Sequence, residues 1–149
     1  HIFSQINSDK IHFAITHGLW KKNSPVLTRM ISSKSINDSI TSIHNESDKE
    51  LNRCINLIFE ENAGSIIFIN QNNESTDVLE SLNKLGDKEI NKPLLTSVNK
   101  KMDLKDFGIG AQILEKLDIT KIKLLTNTRK VKRVGLSGYG LEIVKRIKY

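Results

Sequence analysis

Apolar residues fall first into short alternating runs and later into helical spacing. Ile11-His12-Phe13-Ala14-Ile15-Thr16 is rich in β-formers and stops before Gly18, which predicts a strand. After a polar turn, Pro25-Val26-Leu27-Thr28-Arg29-Met30-Ile31 alternates well enough for a second. Residues 32–46 are rich in Ser and Asn and read as an irregular loop. Ser47-Asp48-Lys49-Glu50 fits a capping box, with the Ser47 oxygen accepting from the third helical N–H while Glu50 reaches back. Behind it, Leu51, Cys54, Ile55 and Ile58 recur at helical spacing, and Ala63-Gly64 supplies the stop. Ser65-Ile66-Ile67-Phe68-Ile69 then reads as a strand buried on both faces.

The second half is less regular. Residues 70–78 are almost wholly polar and predict a loop, and 79–85 a weak helix. The stretch 86–101 stays unassigned, with Pro93 excluding a continuous helix. A short amphipathic helix is expected over 109–117, a strand over 121–125 and a last strand over about 141–147. Helices alternating with strands predict a mixed α/β fold, a mixed sheet flanked by helices in layers. No internal repeat or long linker divides the chain, so residues 1–149 are expected to form one domain. The opening on His1 rather than Met suggests a piece of a longer chain.

Composition narrows the function classes. Hydrophobic residues make up 38% and charged residues 27%, ordinary for a soluble globular protein. No apolar run approaches the roughly 20 residues needed to cross a bilayer, and no signal-peptide pattern opens the chain. A cytoplasmic location is expected. The formal charge of +6 invites a nucleic-acid reading. Against it, lysine outweighs arginine and Ile, Asn and Ser are abundant, a bias that AT-rich codons also produce. Aromatic residues are only 5%, too sparse for a base-stacking surface, so nucleic acid is not the expected partner. A single cysteine, Cys54, excludes an internal disulfide and a multi-thiolate metal site. Cys54 is either a nucleophile or, as its apolar neighbours favour, a small buried residue on a helix face.

The last third carries a more specific signal. Asp106-Phe107-Gly108-Ile109-Gly110-Ala111-Gln112-Ile113-Leu114 precedes Lys123-Leu124-Leu125-Thr126-Asn127, and then comes Val134-Gly135-Leu136-Ser137-Gly138-Tyr139-Gly140-Leu141-Glu142-Ile143-Val144. In this order and spacing the three blocks resemble the end of the GTP cyclohydrolase II domain. That domain occurs alone or fused behind 3,4-dihydroxy-2-butanone 4-phosphate synthase, both serving riboflavin synthesis. The strands at 11–14 and 25–29, the helix at 47–60 and the strand at 65–69 resemble the family's opening elements more loosely.

The resemblance implies an enzyme that opens the guanine ring of GTP with a zinc-activated water, releasing formate and pyrophosphate. Three cysteines hold the zinc in the family. Aligned without gaps from Arg29 to Leu51, their positions hold Lys34, Asn45 and Ser47, none of them a thiolate. Without such ligands no water is acidified to a hydroxide nucleophile. His44, with His12, His17 and Asp38, could rebuild a metal site, or these could be separate solvated groups. No cofactor is expected in this domain, and zinc only if the site is rebuilt.

The family's Arg-Gln-Glu-Gly-Arg loop falls on Asn70-Gln71-Asn72-Asn73-Glu74, so two cationic forks are replaced and one position is acidic. The catalytic tyrosine has no counterpart, since the only tyrosines are Tyr139 and Tyr149. Asp103 matches the family's acid/base aspartate, and Lys105 stands where an arginine would attack the α-phosphate. Arg29, Thr126 and Lys132 are candidate remnants of the nucleotide site. Solvated polar residues kept by chance would look the same at Asp103, Lys105, Thr126 and Lys132. The expectation is a homodimeric fold that has lost its chemistry, doubtful for GTP binding, and supporting a fused synthase that acts on ribulose 5-phosphate with Mg²⁺. An active or altered cyclohydrolase, or a module binding phosphate ligands or nucleic acid through Arg129-Lys130-Val131-Lys132-Arg133, are the alternatives.

Overall fold

The computed structural model describes residues 1–6, 8, 10–33, 40, 43, 48–71, 104–128 and 137–149. Among them the chain forms β1 (Ile2–Ser4), β2 (Ile11–His17), β3 (Pro25–Ser33), α1 (Lys49–Glu60), β4 (Gly64–Asn70), α2 (Leu104–Lys116), β5 (Lys121–Leu125), a 3-10 turn (Ser137–Tyr139) and β6 (Glu142–Ile147). The helix expected over 79–85, the stretch 86–101 and the basic run at 129–133 lie outside the described residues.

The strands make one mixed sheet in the order β1-β2-β4-β3-β5-β6. β1, β2 and β4 pair antiparallel, whereas β4, β3, β5 and β6 run parallel. All seven residues of β4 are buried. Its side chains alternate between two cores, as a period of two requires. Ile67 and Ile69 join Val26, Met30, Ile122 and Leu124 against Phe107, Ala111, Ile113 and Leu114 of α2. Ile66 and Phe68 join Phe13, Leu27, Ile31 and Leu125 against Leu51, Cys54 and Ile58 of α1. Each helix thus covers one face of the sheet. Phe13 and Phe68, opposite one another in register, stack with ring centroids 4.3 Å apart.

The helix ends differ from the expected chemistry. α1 is capped by Asp48 rather than Ser47: its carboxylate accepts from the N–H groups of Glu50 and Leu51 at 3.0 Å. A carboxylate at this position also meets the positive end of the helix. The stop comes from Asn62, whose φ of 59° is the left-handed conformation expected of Gly64. α2 begins five residues before the expected 109 and ends in a Schellman arrangement. There the Ile119 N–H reaches the Leu114 oxygen and the Asp118 N–H that of Glu115. Gly108 and Gly110 hid its first turns, because glycine usually weakens a helix. At Gly110 the reason is space, since a Cβ there would lie 2.0 Å from the Met30 methyl.

Two parts of the predicted loop over 32–46 are ordered structure. Ser32 and Ser33 complete β3 and are buried, and Ile40 is helical and fully buried against the α1 core. Hydrogen bonding inside the sheet makes the serines compatible with burial. The short edge strand β1 carried no pattern to find it by.

α1 crosses β4 closely at Gly64, where a Cβ would sit 2.7 Å from the Leu27 carbonyl oxygen and 2.9 Å from two Ile58 carbons. Backbone cannot yield there, so Gly64→Ala is expected to destabilise the domain by about 1–3 kcal/mol. Urea unfolding of the variant against the parent checks this; an unchanged midpoint would contradict the packing described.

Candidate functional site

The parallel strands β3, β4 and β5 all point their C-terminal ends to the same edge of the sheet, where open α/β sheets place their ligand crevices. The first turn of α2 arrives at this edge. Its Asp106 is buried, and one carboxylate oxygen accepts from Ser32 Oγ at 2.7 Å and from Gln71 Nε2 at 2.8 Å. The contact ties α2 to the ends of β3 and β4. It also displays the neighbouring Lys105, which is exposed, at the edge.

Gln71 prolongs the ladder beyond β4 through its N–H to the Ser33 oxygen, and its own carbonyl accepts from Lys10 Nζ at 2.6 Å. Beside it, His12 is buried, and its Nδ1 accepts from the Asn70 backbone N–H at 3.0 Å. That bond requires an unprotonated Nδ1, so the neutral ring carries its hydrogen on Nε2, 3.4 Å from Gln5 Oε1. Burial, helped by Lys10, pushes the His12 imidazole down to about 4, against an upward pull from Asp106.

Not all the sequence-derived candidates meet here. Asp103, Lys132, Lys34, Asn45 and Ser47 lie outside the described residues, as do His44 and Asp38. Thr126 is buried just past β5, where its Oγ accepts from the Thr128 N–H at 3.2 Å. Arg29 pairs in register with Leu125 and therefore shares the α1 face, opposite Thr126. Its guanidinium lies 3.4 Å from the Leu125 oxygen and 4.8 Å from the centre of the Tyr149 ring. Arg29 and Thr126 are thus separated by the sheet. His12 and His17 do not converge either: five residues apart on one strand they face opposite sides, about 16 Å apart. His17 instead rests against Phe59, with ring centroids 4.3 Å apart. Cys54 is fully buried, and desolvation pushes its thiol up to about 11, the behaviour of a packing residue and not of a nucleophile.

The residues that sequence reasoning missed are Ser32, Gln71 and Asp106, the set that fastens α2. Ser32 was hidden in a polar run read as loop, and Gln71 in the polar stretch after β4. Asp106 stood in the motif beside Lys105, but nothing in the sequence marked it as buried.

A sequence model of GTP cyclohydrolase II matches residues 1–148. The chain belongs to the GTP cyclohydrolase II family. Among curated relatives, the riboflavin biosynthesis protein RibBA of Cytophaga hutchinsonii is 34% identical over 148 residues, 97% of this chain and 36% of the relative. RibBA of Porphyromonas gingivalis is 35% identical over 148 residues, with the same shares. RibBA of Aquifex aeolicus is 35% identical over 140 residues, 90% of this chain and 34% of the relative. The chain spans about a third of the length of these relatives. Lys105, at the start of α2, and Thr126, just past β5, both stand at the edge just described. No helix among the described residues is long and apolar enough to cross a membrane.

The depressed His12 value has a thermodynamic consequence. The native state takes up its proton at lower pH than the unfolded chain, so stability rises with pH between about 4 and 6.5. Above 6.5 the His12 contribution is complete, and it is lost as pH falls through that window. Urea midpoints measured across this range are expected to fall toward the acid end. His12→Leu removes the acceptor of the Asn70 N–H, costing about 1–3 kcal/mol at neutral pH, and flattens the slope. An equal slope in the variant would assign the acid sensitivity to other groups.

Proposed function

We propose that this domain serves riboflavin biosynthesis as a GTP cyclohydrolase II fold without the family's zinc-dependent ring opening. Its role is to support the oligomeric state or the stability of a fused 3,4-dihydroxy-2-butanone 4-phosphate synthase in a cytoplasmic homodimer. The observation that carries the reading is the donor set at the three family ligand positions, Lys34, Asn45 and Ser47. An ammonium repels Zn²⁺, and a neutral amide and hydroxyl do not replace thiolates. These residues do not fit the metal.

The surroundings agree. The positions of the family's GTP-contacting loop begin with Asn70 and Gln71, and here both are engaged internally, with His12 and Asp106. Apolar cores are present on both sides of the sheet. Apolar packing beside altered zinc positions is the pattern expected of a domain kept for its fold. The relatives named RibBA are about three times as long as the match, which leaves room in them for another domain.

Two measurements on the full parent polypeptide test this. Truncating residues 1–149 is expected to lower the thermal midpoint of the remainder or to dissociate the dimer, read by light scattering and by synthase turnover of ribulose 5-phosphate. Unchanged assembly, stability and activity would sink the supporting role. The intact protein is also expected to contain no stoichiometric zinc and to release no formate from GTP. One zinc per chain together with formate release would establish instead a working cyclohydrolase.

A further inference from the structure

β2 is longer than the strand that covers its outer edge. β1 pairs with it only from Ile11 to Phe13, and His1 carries the ladder one residue further. The His1 nitrogen donates to the Ala14 oxygen and the Ala14 N–H to the His1 oxygen, both at 2.9 Å. That exchange marks Ala14 as a residue whose backbone groups point outward, away from β4, and alternation makes Thr16 the next. No strand lies beyond His1 to meet the Thr16 N–H and C=O among the described residues.

Both faces beside this open edge are apolar and uncovered. On the α1 face Ile15 is 39% exposed and Ile2, diagonal to it across the pair, is exposed as well. On the α2 face lies a groove of about 590 Å³ lined by Phe3, Thr16, Leu19 and Trp20 among others. One wall is fixed, because the Trp20 indole N–H donates to the Leu117 oxygen at 3.2 Å. Leu19 on the rim is 96% exposed. An unpaired strand edge between two apolar surfaces is a template for a further strand.

We propose that the outer edge of β2 at Thr16 seats the stretch of parent polypeptide leading into His1, which prolongs β1 and clamps the fused synthase to this domain. This rests on the fused synthase proposed above; the relatives named RibBA, about three times as long as the match, have room for such a stretch. Continuity selects the occupant. His1 is already in register, so the residue two ahead of it falls opposite Thr16 with no loop to close, and can exchange both bonds. Its side chain faces the groove, and the residue between faces Ile15. A strand from a second copy would reach the same bonds only at the cost of association. A joint held in the sheet is stiff where a free linker is not, which lets this domain fix the orientation of the synthase.

Amide exchange in the full parent polypeptide tests this. The Thr16 amide is expected to exchange at about the rate of Ala14, and at least about a hundredfold more slowly than that of exposed Leu19. Exchange of Thr16 at the rate of Leu19 overturns the proposal. Thr16→Pro removes the outward N–H at an edge position, where proline is tolerated. A protease is expected to cut the junction ahead of His1 at least about tenfold faster in T16P than in the parent. Thr16→Val, which keeps the N–H, should leave the rate unchanged. Equal cutting of T16P and the parent overturns the proposal, as does Thr16 protection that falls on dilution, which assigns the edge to a second copy. Should T16P fail to fold, exchange in the unmodified parent decides. Zinc content with formate release would remove the supporting role without altering Thr16 protection, so the two readings fail separately.

Discussion

Strand β4 must hydrogen-bond along both edges while burying both faces, and the rest of the domain is arranged around that demand. Its edges are met by β2, running antiparallel, and β3, running parallel. Its faces are met by α2 over Ile67 and Ile69 and by α1 over Ile66 and Phe68. A one-residue slip of register would exchange these two sets and set each against the wrong helix. The Phe13–Phe68 stack and the Gly64 contact under Ile58 hold the strand at two points along its length.

The same strand sets the polar edge. Where β4 ends, the alternation of apolar residues gives way to Asn70 and Gln71, and the backbone there still needs partners. His12 supplies one by accepting from the Asn70 N–H, and Ser33 another by accepting from that of Gln71. The side chain of Gln71 then reaches Asp106, which is also held by Ser32. These bonds fix the angle at which α2 leaves the sheet. The ends of β3 and β4 and the start of α2 are consequently tied together, with Gln71 Oε1 left buried without a hydrogen-bond partner among the described residues.

How far the sequence revealed this follows from what each residue does. β2, β3, β4 and β5 were legible because their apolar residues recur with the period of a strand. α1 was legible from Leu51, Cys54 and Ile58, although its cap was Asp48 and not Ser47. The start of α2 was illegible because Gly108 and Gly110 argue against helix locally, and only the tertiary approach of Met30 explains the second. Ser32 and Ser33 looked like loop because their burial depends on partners far away in sequence. At the site, the family blocks pointed to Lys105 and Thr126 by position. They could not show that Arg29 and Thr126 stand on opposite faces, because that depends on the pairing of β3 with β5. Nor could they show the bulge in β6, where Ile122 pairs with Ile143 but Lys123 with Lys145, because a bulge leaves no mark in the pattern of residue types.

The positions proposed to align with the family's zinc ligands and the packing positions are separate sets, and this separation makes the proposed fold without the chemistry physically reasonable. Lys34 follows directly on the last residue of β3, and Ser47 directly precedes the cap Asp48. The neighbours that carry structure, Ser33 in the ladder and Asp48 on the helix N-terminus, are intact. Substituting a metal ligand costs a domain its fold only when the metal supplies the folding energy, as in small domains that lack a core. This domain has two cores, each closed by a helix and by residues from several strands. Burial in these cores supplies folding free energy of its own, apart from any metal. Loss of the thiolates would change what the edge can do without changing the sheet that builds the edge, and an assembly role, which needs the sheet and helices alone, could outlast the reaction.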